Sequence, residues 1–497
     1  MHVLCPYSGI WVLFCREVAI YFMRLVIIFG LFLLIFAHGS YVVLAQDFFF
    51  FPTLRIYVEG GRSPFLERNE RNRMHLSFDS YNNPEQNLEK VTGVVRGRGH
   101  STWRQTETKR PLRFHLDTPH SLAGSEYEAT NWILLANHFD RSLMRTFLAF
   151  DLSRSLGRFP WTASEQFVHL YVNGAYEGVY QLVDERDLYP GRIVIMVDND
   201  PSLSEFIIEL SSSAIGGGNV ENRDYWRVNS HPDGVSGRHW SGAGIDRDGI
   251  YSIRYPSDPS DEHVEYMRYF VTNVGRTIRS HDWEAIQQVV HVDQLVDMFL
   301  LNEFHRCPDQ GVRSFFQDIT GQGDERRLGI PFLWDFDLAF GNRGRSDAIH
   351  DSMAIRAHYW FYHLWQVPEF RTLARIRWQE DMEQIVLDVL GRMNTYATNY
   401  EAEFMRNWER FQLLGKEEPL FTSQNHPVFL LPSWSAQIAY LNFYFEQRLI
   451  IVRRTLSEHV VEDGDGWFTA VSQDTPLVAI TDYNLPLLLE SIAWRVE

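Results

Sequence analysis

The sequence predicts an α+β protein with a β-rich N-terminal part and a helical C-terminal part, on three observations. Apolar residues recur at every second position in short runs between residues 54 and 116. From residue 261 to about 457 they recur mostly at helical spacing. Strands therefore come first and helices later, the order of an α+β chain. The 497 residues suffice for a two-lobed arrangement with a large core. An aromatic content of 14% argues against disorder over most of that length.

The elements follow in order. Leu54-Arg-Ile-Tyr-Val58 alternates as a strand does, and residues 94–99 read as a strand running into a Gly-rich turn. Residues 110–116 alternate again, with Leu112, Phe114 and Leu116 on one face and Lys109, Arg113 and His115 on the other. Asp140 reads as the N-cap of a helix carrying Leu143, Phe147 and Phe150, and beside them Met144, Leu148 and Leu152; Gly157 and Pro160 stop it. Residues 167–184 form a hairpin around Asn173-Gly174, whose residue types suit a two-residue turn.

Residues 211–247, rich in Ser, Gly and Asn, read as a long surface loop or a lid. A helix is expected over 261–280, and another, capped by Asp293, carries Leu295, Val296, Phe299 and Leu300. Phe315-Phe316 and residues 330–334 are short strand candidates around a polar turn. After Gly341 the chain is mostly helical to about Ser457, and Asp463-Gly-Asp-Gly466 then opens a short β-like tail. The domain plan is a targeting segment at 1–45, one domain at 46–460 and the tail at 461–497.

Within the targeting segment residues 1–22 read as an over-extended start, and the signal pattern runs from Met23-Arg24 through an apolar run at 25–36 to Val43-Leu-Ala45-Gln46. Such a charged, apolar and small-residue order is that of a secretory signal, and the stretch is also long enough for an uncleaved anchor. Either way the remaining chain is expected outside the cytoplasm, secreted or at the cell surface. The membrane is a partner only if the segment stays uncleaved. Of three cysteines, Cys5 and Cys15 lie in that segment; its removal leaves Cys307 alone, with no intramolecular disulfide and no multi-cysteine zinc site. The net charge of −18 makes nucleic acid a poor partner, although a local basic pocket for a small phosphate ligand is compatible with it.

Chemistry concentrates in a few segments. In Trp334-Asp-Phe-Asp-Leu-Ala-Phe-Gly-Asn342, an extended backbone would point Asp335 and Asp337 to one side, and two such carboxylates suit Mg²⁺ or Mn²⁺. The same pattern is common in plain turns. Asp309, in the loop after the Asp293 helix, is placed to take a proton from a substrate hydroxyl, or to close an Asx turn. Arg98, Lys109 and Arg113 lie near a Gly-rich turn, where guanidinium forks and backbone N–H groups can hold phosphate oxygens. Asp184, at the end of the hairpin, could pair with Lys109 across the sheet. Each segment alone has a purely structural reading; a solvated strand face would account for Arg113 and Lys109.

Taken in order, these pieces resemble the CotH (spore-coat protein H) kinase-like family over about residues 94–378. They are Arg96-Gly-Arg-Gly-His-Ser-Thr-Trp103, Lys109-Arg-Pro111, Asn131-Trp-Ile-Leu-Leu-Ala-Asn137, Ser142-Leu-Met-Arg145, Tyr171-Val-Asn-Gly-Ala-Tyr-Glu-Gly-Val-Tyr180, Leu301-Asn-Glu-Phe304 and Trp334-Asp-Phe-Asp-Leu-Ala-Phe-Gly341. The resemblance implies an atypical protein-kinase-like fold with a β-rich N-lobe and a helical C-lobe. It implies ATP, Mg²⁺ or Mn²⁺, and phosphoryl transfer to Ser or Thr of an exported or surface protein. It makes Asp309 the catalytic Asp, Asp335 a metal ligand with Asp337 beside it, and Lys109 the phosphate-contacting Lys, a role for which Arg98 and Arg113 compete. Asp184 occupies the place of a family Glu.

Three positions depart from the pattern: His100 and Cys307 each stand where the family often has Asn, and Ser314 replaces an Asn that supplies a second metal contact. The last departure favours, as the second reading, a nucleotide-binding pseudokinase or a surface interaction protein without turnover. A third reading, a carbohydrate-active or adhesive surface protein, suits the 15 Trp residues and the paired carboxylates, but Asp335 and Asp337 are too close in sequence to flank a sugar from opposite faces.

Overall fold

The structure, a computed structural model, describes residues 50–81, 83–99, 102–103, 109–188, 191–210, 225–228, 249–307, 309–310, 314–342, 359–416, 427–456, 460–462 and 468–470. The expected signal segment, His100 and most of the 211–247 stretch lie outside them. Among the described residues no helix is long and apolar enough to cross a membrane. Helices and sheets are both present, as the α+β reading requires.

Seven strands close into a barrel: β1 (Thr53–Val58), β2 (Asn72–Asp79), β3 (Leu88–Gly97), β4 (Leu112–His120), β5 (Ala129–Leu135), β6 (Glu165–Val172) and β7 (Ala175–Asp184), in the order β1-β2-β3-β4-β5-β7-β6. Closure is parallel, with β1 against β6 from Thr53↔His169 to Ile56↔Val172. The alternation read in the sequence sorts the side chains: Leu54, Ile56, Leu112, Phe114 and Leu116 fill the barrel, while Arg113 and His115 face outward. Asn173 (φ 50°) and Gly174 (φ 85°) join β6 to β7 with the two positive φ angles such a turn needs. The Asn173 side chain also accepts a hydrogen bond from Val58 N at 2.8 Å, which ties the turn to β1.

Lys109 departs from the expected outward strand face. It sits in a bend before β4 and is 2% exposed. Its ammonium donates to the Val179 carbonyl at 2.6 Å and to Asn407 Oδ1 at 2.9 Å, and lies over the Tyr180 ring. Such partners are what permit a buried ammonium.

A second sheet has five strands, β8 (Phe206–Leu210), β9 (Tyr225–Val228), β10 (Gly249–Tyr255), β11 (Phe315–Thr320) and β12 (Arg327–Gly329), in the order β12-β11-β8-β10-β9. Two expectations are corrected here. β9 lies inside the stretch read as loop, because Tyr-Trp-Arg-Val has strong β preference whatever its Gly-rich flanks. Residues 330–334 are not a strand; Pro331 offers no N–H to a ladder, and its carbonyl instead accepts from Trp161 N at 3.1 Å. Ile133 and Val183 of the barrel pack with Ile207 and Phe316 of the second sheet, and Phe332 and Trp334 share that core.

Helix α1 (Arg145–Leu156) corrects another expectation: its N-cap is Met144, not Asp140. Asp140 is five residues upstream, and its carboxylate accepts from Arg145 N at 2.8 Å and Ser142 N at 2.9 Å. It also forms a fully buried ion pair with the Arg145 guanidinium. Losing either member would strand a charge in the core, at a cost of about 3–5 kcal/mol. The remaining helices are α2 (Asp261–Arg279), α3 (Trp283–Gln287), α4 (Val292–His305), α5 (Tyr359–Gln366), α6 (Pro368–Arg377), α7 (Glu383–Phe411) and α8 (Trp434–Leu456). His291, not Asp293, is the N-cap of α4; Asp293 falls in its first turn, where its charge suits the helix dipole. A π turn, Trp378–Met382, joins α6 to α7. Two short strands, β13 (Val460–Glu462) and β14 (Phe468–Ala470), pair after α8.

Candidate active site

Helix α4 is buried along nearly its whole length and ends at Arg306 in the left-handed region (φ 48°). The loop that follows is held against the segment carrying Asp335 and Asp337. Gln310 Nε2 donates to the Trp334 carbonyl at 2.9 Å, the Cys307 thiol donates to the Asp335 carbonyl at 3.5 Å, and Phe340 N donates to the His305 carbonyl at 2.8 Å. Burial, and then the Arg448 charge, push His305 down to about 3, so its ring is neutral and Nδ1 accepts from Cys307 N at 3.0 Å. The ring lies edge-on to Phe336 with centroids 4.7 Å apart. A buried aromatic contact and three hydrogen bonds thus bring the loop of Asp309 to that of Asp335 and Asp337.

The two carboxylates do not share a side by strand pleat, as expected. Asp335 has φ 71°, a left-handed conformation that Asp tolerates better than most residues, and a turn follows. Phe336 is driven into the core between them, leaving Asp335 exposed and Asp337 half-buried. Asn342 fastens the turn: its Nδ2 donates to the Asp337 carbonyl at 2.6 Å and to the Phe139 carbonyl at 2.7 Å. Burial, followed by the charges of Asp335, Asp309 and Asp140, pushes the Asp337 carboxyl well above the usual carboxylate range. Three other carboxylates are therefore within electrostatic reach of Asp337. Burial and the Asp309, Asp335 and Asp337 charges likewise push the Cys307 thiol up, which keeps it protonated and unreactive.

Cations face this acidic group. A pocket is lined by Arg98, Thr102, Pro111, Leu135, Ala136, Asn137, Thr146, Phe150, Trp334, Asp335 and Asp337. Its enclosed part holds about 40 Å³, space for one or two water-sized groups, so a larger ligand would extend out of it. Arg98 lies over the Trp334 ring at 6.0 Å and Arg186 over the same ring at 4.8 Å. Neither has an ion-pair partner among the described residues, and Arg186 Nη1 is buried with no hydrogen-bond partner. Burial, and then Arg186, push Arg98 down to about 10, with Glu185 and Asp335 acting in the opposite direction.

The donor set fits a metal–phosphate ligand. Among the described residues no three His, Cys, Asp or Glu side chains form a ready cation cage. Mg²⁺ commonly takes only one or two protein carboxylates and completes its shell with phosphate and water, which Asp335 and Asp337 can match. Guanidiniums without an ion-pair partner among the described residues are groups that can take phosphate oxygens.

The other residues singled out in the sequence divide. Ser314 lies at the site: its Oγ donates to Asp335 Oδ2 at 2.8 Å. Lys109 is not among the residues lining the pocket. Arg113 is on the outer face of β4, ion-paired with Glu185. Asp184 is fully buried but does not pair with Lys109; it binds Arg192 at 2.8 Å and accepts from Tyr127 OH at 2.5 Å and Ser164 N at 2.9 Å. Lys109 instead reaches α7, and Arg192 takes the carboxylate because both side chains are buried together. Sequence reasoning missed Arg186 and Asn137. The only signal for Arg186 was its place beside Asp184-Glu185, and Asn137 read as a structural polar residue.

The model of a family described as CotH kinase protein matches residues 95–451, most of the chain. No curated protein matches it.

Proposed function

The chain belongs to the CotH kinase family, and from that premise we propose that it is an exported atypical protein kinase that transfers the γ-phosphate of ATP to Ser or Thr of a surface or secreted protein. Family membership suggests an atypical kinase with phosphotransferase activity and the use of nucleotide and metal. The observation that supports the finer reading is the meeting of Asp309, Asp335 and Asp337 with two guanidiniums, Arg98 and Arg186, that have no ion-pair partner among the described residues. In this reading the barrel and the helical part correspond to the two lobes of a kinase.

Phosphoryl transfer requires little covalent help from a protein, so positioning and charge carry the rate. Asp335 and Asp337 would hold Mg²⁺ or Mn²⁺, which with ATP supplies the phosphoryl group and neutralises charge developing on it. Arg98 and Arg186 orient phosphate oxygens, taking over the contact the sequence had placed first on Lys109. Asp309, 8% exposed and within electrostatic reach of Asp337, orients the acceptor hydroxyl and accepts its proton. Transfer of labelled phosphate from ATP to a Ser-rich peptide, with Mg²⁺ and with Mn²⁺, tests the proposal. Absence of both transfer and nucleotide binding would overturn it.

One contact favours a second reading, a nucleotide-binding pseudokinase. The Ser314 hydroxyl donates to an oxygen of Asp335, and, shorter than an Asn amide, it would reach a second metal only through water. We expect wild type to turn over slowly and Ser314→Asn to raise turnover by about tenfold with a smaller change in nucleotide affinity, since a second metal acts mainly on charge that develops during transfer. Initial rates at several metal concentrations decide it; a fast wild type slowed by the substitution would remove the pseudokinase reading.

Export rests on the 23–45 pattern alone. Mature protein is expected to begin near Gln46, and N-terminal sequencing of secreted or periplasmic material checks it. An intact N-terminus in the membrane fraction would identify an anchor.

A further inference from the structure

A second basic site lies on the outer face of the barrel, apart from the pocket at Asp335. A cleft of about 180 Å³ is lined by Arg71, Val94, Arg96, Arg113, Phe114, His115 and Asn131. Arg96 and Arg113 are directly opposed in the β3–β4 register. Like charges at such positions destabilise a sheet. Arg113 has a counter-ion in Glu185, but neither Arg96 nor Arg71 has an ion-pair partner among the described residues. Among the described residues the side-chain hydrogen bond of Arg96 is to the neighbouring Gly97 carbonyl at 3.3 Å. At the other wall, His115 Nδ1 and Asn131 Oδ1 are 2.9 Å apart, and Asn131 Nδ2 donates to Asp187 at 2.6 Å. Asp187 is itself ion-paired with Arg192. Among the described residues two guanidiniums thus lack an ion-pair partner in a concave site on a protein whose net charge is −18, and Arg113, Arg71 and Arg68 all act on Arg96 against the single carboxylate Glu185.

We infer that this cleft binds an acidic side chain, carboxylate or phosphate, of the protein segment that carries the acceptor hydroxyl. The inference rests on the kinase reading for the word acceptor, but the anion site itself follows from the cleft. Two guanidinium forks and an imidazole offer charge-assisted hydrogen bonds to one anionic group. The cleft also adjoins the candidate active site: Arg113 and Glu185 are within electrostatic reach of both Arg96 and Arg98, and Arg98 lines the pocket of Asp335. An acidic residue held at Arg96 would therefore lie along the barrel surface from a hydroxyl presented at Asp309. A nucleotide is the weaker candidate. Its polyphosphate arrives with a divalent ion, and Glu185, Asp187 and Asp117, carboxylates that act on the cleft residues, are already paired with arginines.

The test is fluorescence anisotropy with the full chain and labelled peptides, in low salt and without nucleotide. One peptide places Glu residues beside a Ser, a second replaces that Ser's neighbours by phosphoserine, and a third carries Gln instead. Wild type should bind both acidic peptides at least about tenfold more tightly than the Gln peptide, the scale expected of charge-assisted pairs. The preference should vanish in the double variant Arg71→Gln, Arg96→Gln and weaken with added salt. ATP binding, read separately by thermal shift, should not change in that variant. Equal binding of acidic and Gln peptides by wild type would overturn the inference. So would a loss of ATP binding in the variant, which would assign the cleft to nucleotide phosphate. If the double variant does not fold, Arg71→Gln alone, at an exposed residue, should reduce the preference several-fold, and no reduction would overturn the inference. Absence of phosphoryl transfer by wild type would defeat the kinase reading while leaving these binding results to stand.

Discussion

Asp309→Asn is expected to lower phosphoryl transfer by about 10²- to 10⁴-fold, the range of a positioned general base, while nucleotide binding stays within about twofold. The asymmetry follows from the geometry. Asp309 belongs to the loop after α4 and does not line the pocket shared by Arg98, Asp335 and Asp337. It lies within electrostatic reach of Asp337. Asn keeps the shape and removes the proton acceptor. Removing one negative charge beside Asp337 also eases repulsion within the carboxylate group, so nucleotide affinity should not fall. Single-turnover transfer to a Ser peptide, with ATP binding measured in parallel, checks both halves. Undiminished transfer would remove Asp309 from the chemistry.

Asp337→Asn is expected to act with opposite signs on two measurements. Burial and three neighbouring carboxylates raise the Asp337 pKa above its ordinary value near 3.8. As pH rises past that value the unfolded chain loses this proton while the folded protein still holds it, so stability falls until the raised folded-state pKa is passed. Asn is free of that loss. In EDTA at neutral pH the variant should therefore melt higher than wild type, by on the order of 1–3 °C. With Mg²⁺ or Mn²⁺ and ATP the order should invert. Wild type gains stability because a bound cation neutralises the carboxylates, and ligand binding adds to it by mass action. The variant, lacking one of the two ligands, should show little of that gain and at least about tenfold weaker metal-dependent ATP binding. Melting curves with and without divalent ion decide the matter. A variant that melts lower in EDTA and keeps the full metal-dependent gain would show that Asp337 is a structural turn residue.

Much of the architecture was legible because burial leaves a local trace. The alternation of Leu112, Phe114 and Leu116, the Asn173-Gly174 turn and the apolar spacing of α1, α2 and α4 are each set by neighbours a few positions away. Asp309 and the Asp335–Asp337 pair were legible as candidates because each follows an apolar element that had to be buried, leaving a polar loop at its end. Where the readings failed, a local property was overruled. β9 formed within a Gly-rich stretch, and 330–334 did not pair because of one proline.

Partner choice was not legible at all. Lys109 is held by Asn407, 298 residues away, and Asp184 by Arg192 rather than by Lys109. Nothing in periodicity distinguishes one arginine from another as the counter-ion of a buried carboxylate. The left-handed backbone at Asp335, which replaces the expected pleat, arises because Phe336 is drawn against His305. The amino-acid sequence by itself determined the α+β class, the hairpin and the order of family segments that ends in Trp334-Asp-Phe-Asp-Leu-Ala-Phe-Gly341. Only the tertiary structure decided which cations face the carboxylates, that Arg98 and Arg186 have no ion-pair partner among the described residues, and that Arg71, Arg96 and Arg113 share a cleft. Side-chain periodicity is a local property, whereas the pairing of charges depends on which distant surfaces closure of the barrel and packing of α4 bring together.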